Sequence, residues 1–92
     1  MAALSPQMQH ALATLSVLAQ RYLVILYRLG SRPDQPPVYI SLLPNEVDEL
    51  VQVKALSLAA RLTRSQYVFQ TGYVLTAFGV ALAQYLQQDT TL

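Results

Sequence analysis

The chain has 92 residues, enough for one domain with a small core, because folding at this size buries only about 60–65 % of the surface that the unfolded chain exposes. Charged residues make up 12 % and hydrophobic residues 53 %, so we expect a partner to cover some apolar surface. The net charge of +1 excludes the basic field that drives non-specific nucleic-acid binding, and the absence of cysteine excludes disulfides, thiolate nucleophiles and cysteine-based zinc sites.

The first predicted element is a helix over residues 6–29. Ser5 and Pro6 are a typical helix start, since the serine oxygen can accept a backbone N–H and proline is tolerated at the first helical position. Gly30 and the following Pro33 end the helix. An apolar stripe runs along it in heptads, formed by Met8, Leu15, Tyr22 and Leu29. The other side is polar and includes Arg21 and Arg28.

Residues 30–44 form a proline-rich connection, with four of the five prolines of the chain. Proline lacks a backbone donor and biases the preceding residue toward extended geometry. The run VYISLL could pair as a short strand, but without a second strand candidate in the chain we favour an extended connection that packs on the helices.

A second helix is predicted over residues 45–62. Asn45 can cap it, and Glu46, Asp48 and Glu49 lie in the first turn, where the helix dipole stabilises negative charge. Two continuations are open. Either Thr63 or Ser65 caps a new helix, or one helix of about 43 residues and about 65 Å runs to residue 88, which would require oligomerisation.

The third predicted helix covers residues 65–88, and glycines lie on one side of it. Glycine costs about 0.5–1 kcal/mol relative to alanine inside a helix, so two glycines one heptad apart indicate close approach of another backbone. Glutamines follow the opposite side. The predicted helix-packing seam consists of Val68, Gly72, Leu75, Gly79, Leu82 and Leu86.

A membrane-embedded accessory subunit, with the first and third helices as spans, is the first alternative. Residues 65–88 are 24 uncharged positions, long enough to cross a bilayer. Against this, Gln20 and Arg21 fall in the middle of the first helix, where arginine costs about 2.5–3.5 kcal/mol on insertion, and the aromatic residues do not form two belts.

A DNA-binding protein is the second alternative. Residues 57–72, SLAARLTRSQYVFQTG, resemble a helix-turn-helix with a turn near Thr63 and Arg64, which implies that Ser65, Gln66 and Gln70 face the bases. Thr63 replaces the glycine common in such turns, and the second helix runs about three turns too long. The balanced charge also argues against nucleic acid as a partner.

No residue set has the pattern of a catalytic, cofactor or metal site. His10 is the only histidine, and metal sites need three or four converging ligands. Glu46, Asp48 and Glu49 are explained by the helix dipole. Arginines suit an anionic partner or solubility, and tyrosines are enriched at interfaces. The candidate partner contacts are therefore Arg21, Arg28, Tyr67, Phe78 and Tyr85, and Arg32 extends the arginine edge.

The sequence as a whole predicts an all-α domain over residues 1–92: a three-helix bundle or helical hairpin with a proline-rich extended connection, which we expect to oligomerise. We expect a non-enzymatic adaptor, assembly protein or accessory subunit that needs no cofactor and binds copies of itself or a larger complex. No Lys or Arg precedes Arg21, so a secretory signal is not indicated and we expect a cytoplasmic location.

Overall fold

The computed structural model describes the backbone of residues 4–59, 62–65 and 68–89, and the side chains of residues 4–59 and 71–88. Helices and strands are mixed, so the all-α prediction is wrong and the chain is not a helical bundle. In chain order the elements are α1 (Pro6–Thr14), α2 (Val17–Arg28), β1 (Val38–Tyr39), α3 (Pro44–Gln52), β2 (Leu56–Leu58), β3 (Leu62–Ser65), β4 (Val68–Gln70), β5 (Gly72–Leu75) and α4 (Ala77–Asp89).

β5 is the central strand of a three-stranded antiparallel sheet with the order β1-β5-β2. Val38 is paired with Tyr73 on one side, and Leu56 with Leu75 on the other. The strands β3 and β4, which lie between β2 and β5 in the sequence, form a separate antiparallel pair. The first two residues of the run VYISLL, Val38 and Tyr39, therefore form a strand, and their partner β5 lies in the segment predicted to be helical.

Residues 56–75 overturn four helical predictions. The second helix ends at Gln52 instead of residue 62, and the third begins at Ala77 instead of residue 65. The helix-turn-helix resemblance over residues 57–72 is wrong, because this segment contains the strands β2, β3 and β4 where the two helices were expected. The single helix of about 43 residues is excluded for the same reason.

The first predicted helix is broken into α1 and α2, which bend by 117° relative to each other. Leu15 is extended, and the Ser16 hydroxyl caps α2 by accepting the N–H of Ala19. The Gln20 amide donates to the carbonyls of Leu12 and Leu15, both at 3.2 Å, so it satisfies carbonyls at the end of α1. The break thus places a helix N-terminus inside an apolar run.

A carboxylate from α3 fixes this break. The Ser16 N–H donates to Oε1 of Glu49 at 2.7 Å, in a half-buried position. Negative charge at the N-terminus of α2 is stabilised by the helix dipole, and a hydrogen bond to a charged acceptor is stronger than a neutral one. Glu49 therefore joins α3 to the start of α2, and it does not serve only the dipole of its own helix.

The core lies between α2, α3, α4 and the sheet. Its fully buried members are aliphatic side chains, including Leu23, Leu26, Leu50, Leu75 and Leu82. Tyr73 of β5 is also in the core, and its burial, with a smaller contribution from Tyr22, raises the pKa of its phenol above the usual value. The Tyr22 hydroxyl accepts the N–H of Leu43, which ties α2 to the start of α3.

Ser31 is the one polar residue among the fully buried side chains of the described residues. Its hydroxyl accepts the N–H of Leu75 at 2.9 Å and donates to the carbonyl of Tyr73 at 3.2 Å. β1 begins only at Val38, and Pro36 and Pro37 before it have no N–H with which to extend the strand. The serine hydroxyl therefore supplies the partner that β5 lacks beyond β1.

Among the described residues, no single helix has the length and apolar composition to cross a bilayer. The helices α1 and α2 meet those criteria only when they are counted together, across their 117° bend.

Candidate functional site

Two of the predicted partner contacts, Arg21 and Arg28, lie together on the outer side of α2. Seen down the helix axis, the opposite side carries the buried residues Ala19, Leu23 and Leu26, so the arginines point away from the core. They line a surface groove of about 490 Å³ between α2 and α4, which we call the α2 groove. Its lining consists of Val17, Gln20, Arg21, Val24, Ile25, Arg28 and Leu86.

Aliphatic side chains alternate with the arginines along this groove. Val17 is 67 % exposed and Ile25 is 43 % exposed, although both are large hydrophobic residues. Val17, Arg21, Val24 and Arg28 follow one another at intervals of four, three and four residues, so they form one line on the helix surface. We call this line the α2 seam.

Both arginines of the seam are exposed, and Arg28 also lies in the last turn of α2, where the helix dipole favours a positive charge. Neither guanidinium makes a hydrogen bond or an ion pair with another part of the chain that the structure describes. No acidic side chain lines the groove. The α2 groove is therefore an apolar surface with two positive charges that no carboxylate among its lining residues neutralises.

Arg32 behaves differently, although the sequence places it on the same edge. Its Nη1 donates to the carbonyls of Tyr27 and Ser31, both at 2.8 Å. The guanidinium also stacks over the ring of Tyr27 at 3.7 Å from the centroid, a cation–π contact. Arg32 thus closes the loop after α2 and does not extend the α2 groove.

The remaining predicted contacts do not join this site. Phe78 and Tyr85 are half-buried and lie seven residues apart on one side of α4, and Phe78 lines another groove. Tyr67 lies outside the described residues. The structure therefore brings Arg21 and Arg28 together and separates them from Phe78.

The predicted packing seam is divided between two kinds of element. Val68 lies in β4, Gly72 and Leu75 lie in β5, and only Gly79, Leu82 and Leu86 lie in α4. The glycines do mark close approaches: a Cβ on Gly79 would overlap the carbonyl oxygen of Ala55, and one on Gly72 would lie 2.8 Å from the Tyr39 ring. The neighbours are a turn and a strand, not a second helix.

A second groove, of about 600 Å³, lies where the start of α1 meets the end of α3. His10, Lys54 and Phe78 line it, together with the amides of Gln7 and Gln52. His10 and Lys54 are exposed. No group of three or more His, Asp or Glu side chains that could hold a metal ion occurs among the described residues.

The aliphatic part of the α2 groove is not predicted from the sequence. The apolar spacing over residues 6–29 puts Ile25 in the same stripe as Leu26, whereas in the structure Ile25 is 43 % exposed and Leu26 is fully buried. Val17 and Val24 lie on the same line as Arg21 and Arg28 in any continuous helix through these residues, but only the position of Leu86 in α4 shows that this line borders a groove. Comparison of the chain with known protein families, curated proteins and solved structures gave no match.

Proposed function

We propose that this chain is a non-enzymatic assembly protein that binds a protein partner through the α2 groove. The proposal rests on the α2 seam, in which the exposed Val17 and the half-buried Val24 alternate with two exposed arginines that make no hydrogen bond or ion pair among the described residues. Exposed apolar surface next to charge is typical of interaction sites, and arginine is enriched at interfaces. The groove also has a wall, because Leu86 of α4 stands beside α2.

The position of the arginines favours a protein over a lipid surface. A helix that lies in a membrane interface has its charges on the polar side and its apolar side chains in the acyl region. In α2, Arg21 and Arg28 lie in the same line as the valines, so insertion of the valines would also carry both charges toward lipid. A protein partner can pair these charges instead.

The test compares partners retained by affinity-tagged chains in the cells from which the protein comes. A double variant, Val17→Gln with Ile25→Gln, changes exposed side chains of the groove. Its matched control, Leu43→Gln with Leu58→Gln, changes leucines that are 55 % and 54 % exposed elsewhere. We expect the groove variant to lose the partner about tenfold or more, because buried aliphatic contacts at an interface are worth about 1–2 kcal/mol each.

The melting temperature should remain within a few degrees for both variants, since all four side chains are exposed and do not support the core. Equal retention of partners by wild type and groove variant would contradict the proposal. Equal loss in groove variant and control would contradict it as well, because binding would then depend on general surface hydrophobicity.

A further inference from the structure

We infer that the α2 groove binds one helix of a different protein, and that this helix presents aliphatic residues alternating with Asp or Glu in a heptad pattern. The inference rests on the proposed function and adds the chemistry of the partner. It follows from three features of the described residues: the spacing of the seam, the placement of its charges and the acidic residues of this chain.

The spacing of the α2 seam matches a helical partner. Intervals of four, three and four residues are those of the contact line in two packed helices, where side chains of one helix fit between those of the other. The seam runs from Val17 to Arg28, about 16 Å at 1.5 Å per residue, which corresponds to three turns of a partner helix. Leu86 beside the seam gives this helix a side wall.

The charges determine what that helix carries. Arg21 and Arg28 are seven residues apart within the contact line, so a docked helix would cover both guanidinium groups. A covered charge without a partner is strongly unfavourable, whereas arginine and carboxylate form short, bidentate hydrogen bonds. The partner helix must therefore place a carboxylate opposite each arginine, about two turns apart.

A second copy of this chain does not satisfy these requirements. Two α2 helices packed on each other would bring four arginines into one interface, and like charges across an interface are unfavourable. No helix in the described part of the chain has two acidic residues seven apart: α3 carries Glu46, Asp48 and Glu49, and Glu49 already accepts the Ser16 N–H. The complementary helix belongs to another protein.

The test uses three fluorescently labelled, helix-stabilised peptides of about three heptads, with leucine at the first contact position of each heptad. Glutamate, glutamine or lysine occupies the second contact position, and the peptides are otherwise identical. Binding to the purified full chain is followed by fluorescence anisotropy at low and high salt. The same titrations are made with the double variant Arg21→Glu, Arg28→Glu and with the control Lys54→Glu, which reverses an exposed positive charge that does not line the α2 groove.

We expect the glutamate peptide to bind wild type about tenfold more tightly than the glutamine peptide, with the difference reduced by salt. The lysine peptide should not bind wild type, and the order of the three peptides should reverse for the double variant but not for the control. Equal binding of all peptides, binding of none, or an order that the double variant leaves unchanged would overturn the inference.

The inference would also be overturned if the wild type formed a concentration-dependent dimer and the substitution Val24→Glu dissociated it. The groove would then bind a second copy of this chain. The proposed function has a separate readout. If the groove variant Val17→Gln with Ile25→Gln loses a protein partner in cells while the peptide series fails, the groove binds protein but not an acidic helix. If no partner is lost from that variant, the proposed function itself is wrong.

Discussion

Gly30 and Lys54 occupy equivalent positions after α2 and α3, and both have positive φ, +93° and +63°. Each donates its N–H to a carbonyl three residues earlier, and the next residue donates to a carbonyl five residues earlier. The latter pairs are Ser31 with Leu26 and Ala55 with Leu50, both at 3.0 Å. These are two Schellman motifs, and only one has the glycine that the conformation favours.

Replacement of Lys54 by glycine should raise the free energy of unfolding by about 0.5–1 kcal/mol. A residue with a Cβ pays about 1–2 kcal/mol in the left-handed region, and part of this gain is lost to the greater chain entropy of glycine. Urea unfolding measures the change. Gly30→Ala is the matched comparison and should lower stability by about 1 kcal/mol through the backbone alone, because no atom lies within 4 Å of the added Cβ. Destabilisation by Lys54→Gly would show that the lysine side chain holds the turn.

The sequence predicts the start of a helix correctly only where the capping residue stands before the first apolar residues of that helix. Ser5 caps α1 as expected, through its hydroxyl and the N–H of Met8. Ser16 and Thr76 are missed because apolar residues on both sides keep a helical spacing across them. Asn45 is wrongly assigned as a cap, since α3 begins one residue earlier, at Pro44.

Among the elements, β5 shows why a continuous uncharged segment misleads. The run GYVL has the aromatic and β-branched residues of a strand, yet it is too short for its period to be distinguished from that of a helix. Pairing with β1 and β2 decides the outcome, and this pairing joins residues far apart in sequence. Within the predicted third helix, the helical register is correct only for the part that forms α4, where Gly79 and Leu82 are buried as predicted.

The junction of α3 and α4 depends on Gly79. The Thr76 hydroxyl caps α4 by accepting the Gly79 N–H at 3.0 Å and donates to the Lys54 carbonyl at 2.6 Å. The Thr76 N–H donates to the Ala55 carbonyl at 3.1 Å, and the same oxygen occupies the place of a Cβ on Gly79. The first turn of α4 therefore packs directly on the backbone of the turn after α3.

Gly79→Ala should lower the free energy of unfolding by about 2 kcal/mol or more, and Gly79→Leu should prevent folding. The physical reason is overlap with a backbone atom that the turn cannot move freely. In an exposed helix the same change to alanine stabilises by about 0.5–1 kcal/mol, so the sign of the effect identifies the cause.

Thermal and urea unfolding of Gly79→Ala measure this effect, with Ala77→Leu as the control on the exposed side of α4. The control should change stability by less than about 0.5 kcal/mol. Stabilisation by Gly79→Ala would contradict the packing of α4 on the turn.

At the scale of the whole molecule, only those features of the site that depend on a single helix could be predicted from the sequence. Arg21 and Arg28 are one heptad apart, so any helical reading places them on the same side. The groove itself could not be predicted, because its wall comes from Leu86 of α4. Contacts between α2 and α4, distant in sequence, create the surface on which the proposed function rests.

The docking role of the α2 groove is tested most directly by a photoreactive residue at Val24, compared with the same residue at the exposed Ser41, in the cells from which the protein comes. Mass spectrometry then identifies the products after irradiation. We expect one protein to be crosslinked at position 24 and not at position 41, and we expect the crosslinked residue to lie in a helix that contains acidic residues. Crosslinks at position 24 to lipid, to the chain itself or to the same proteins as position 41 would contradict it.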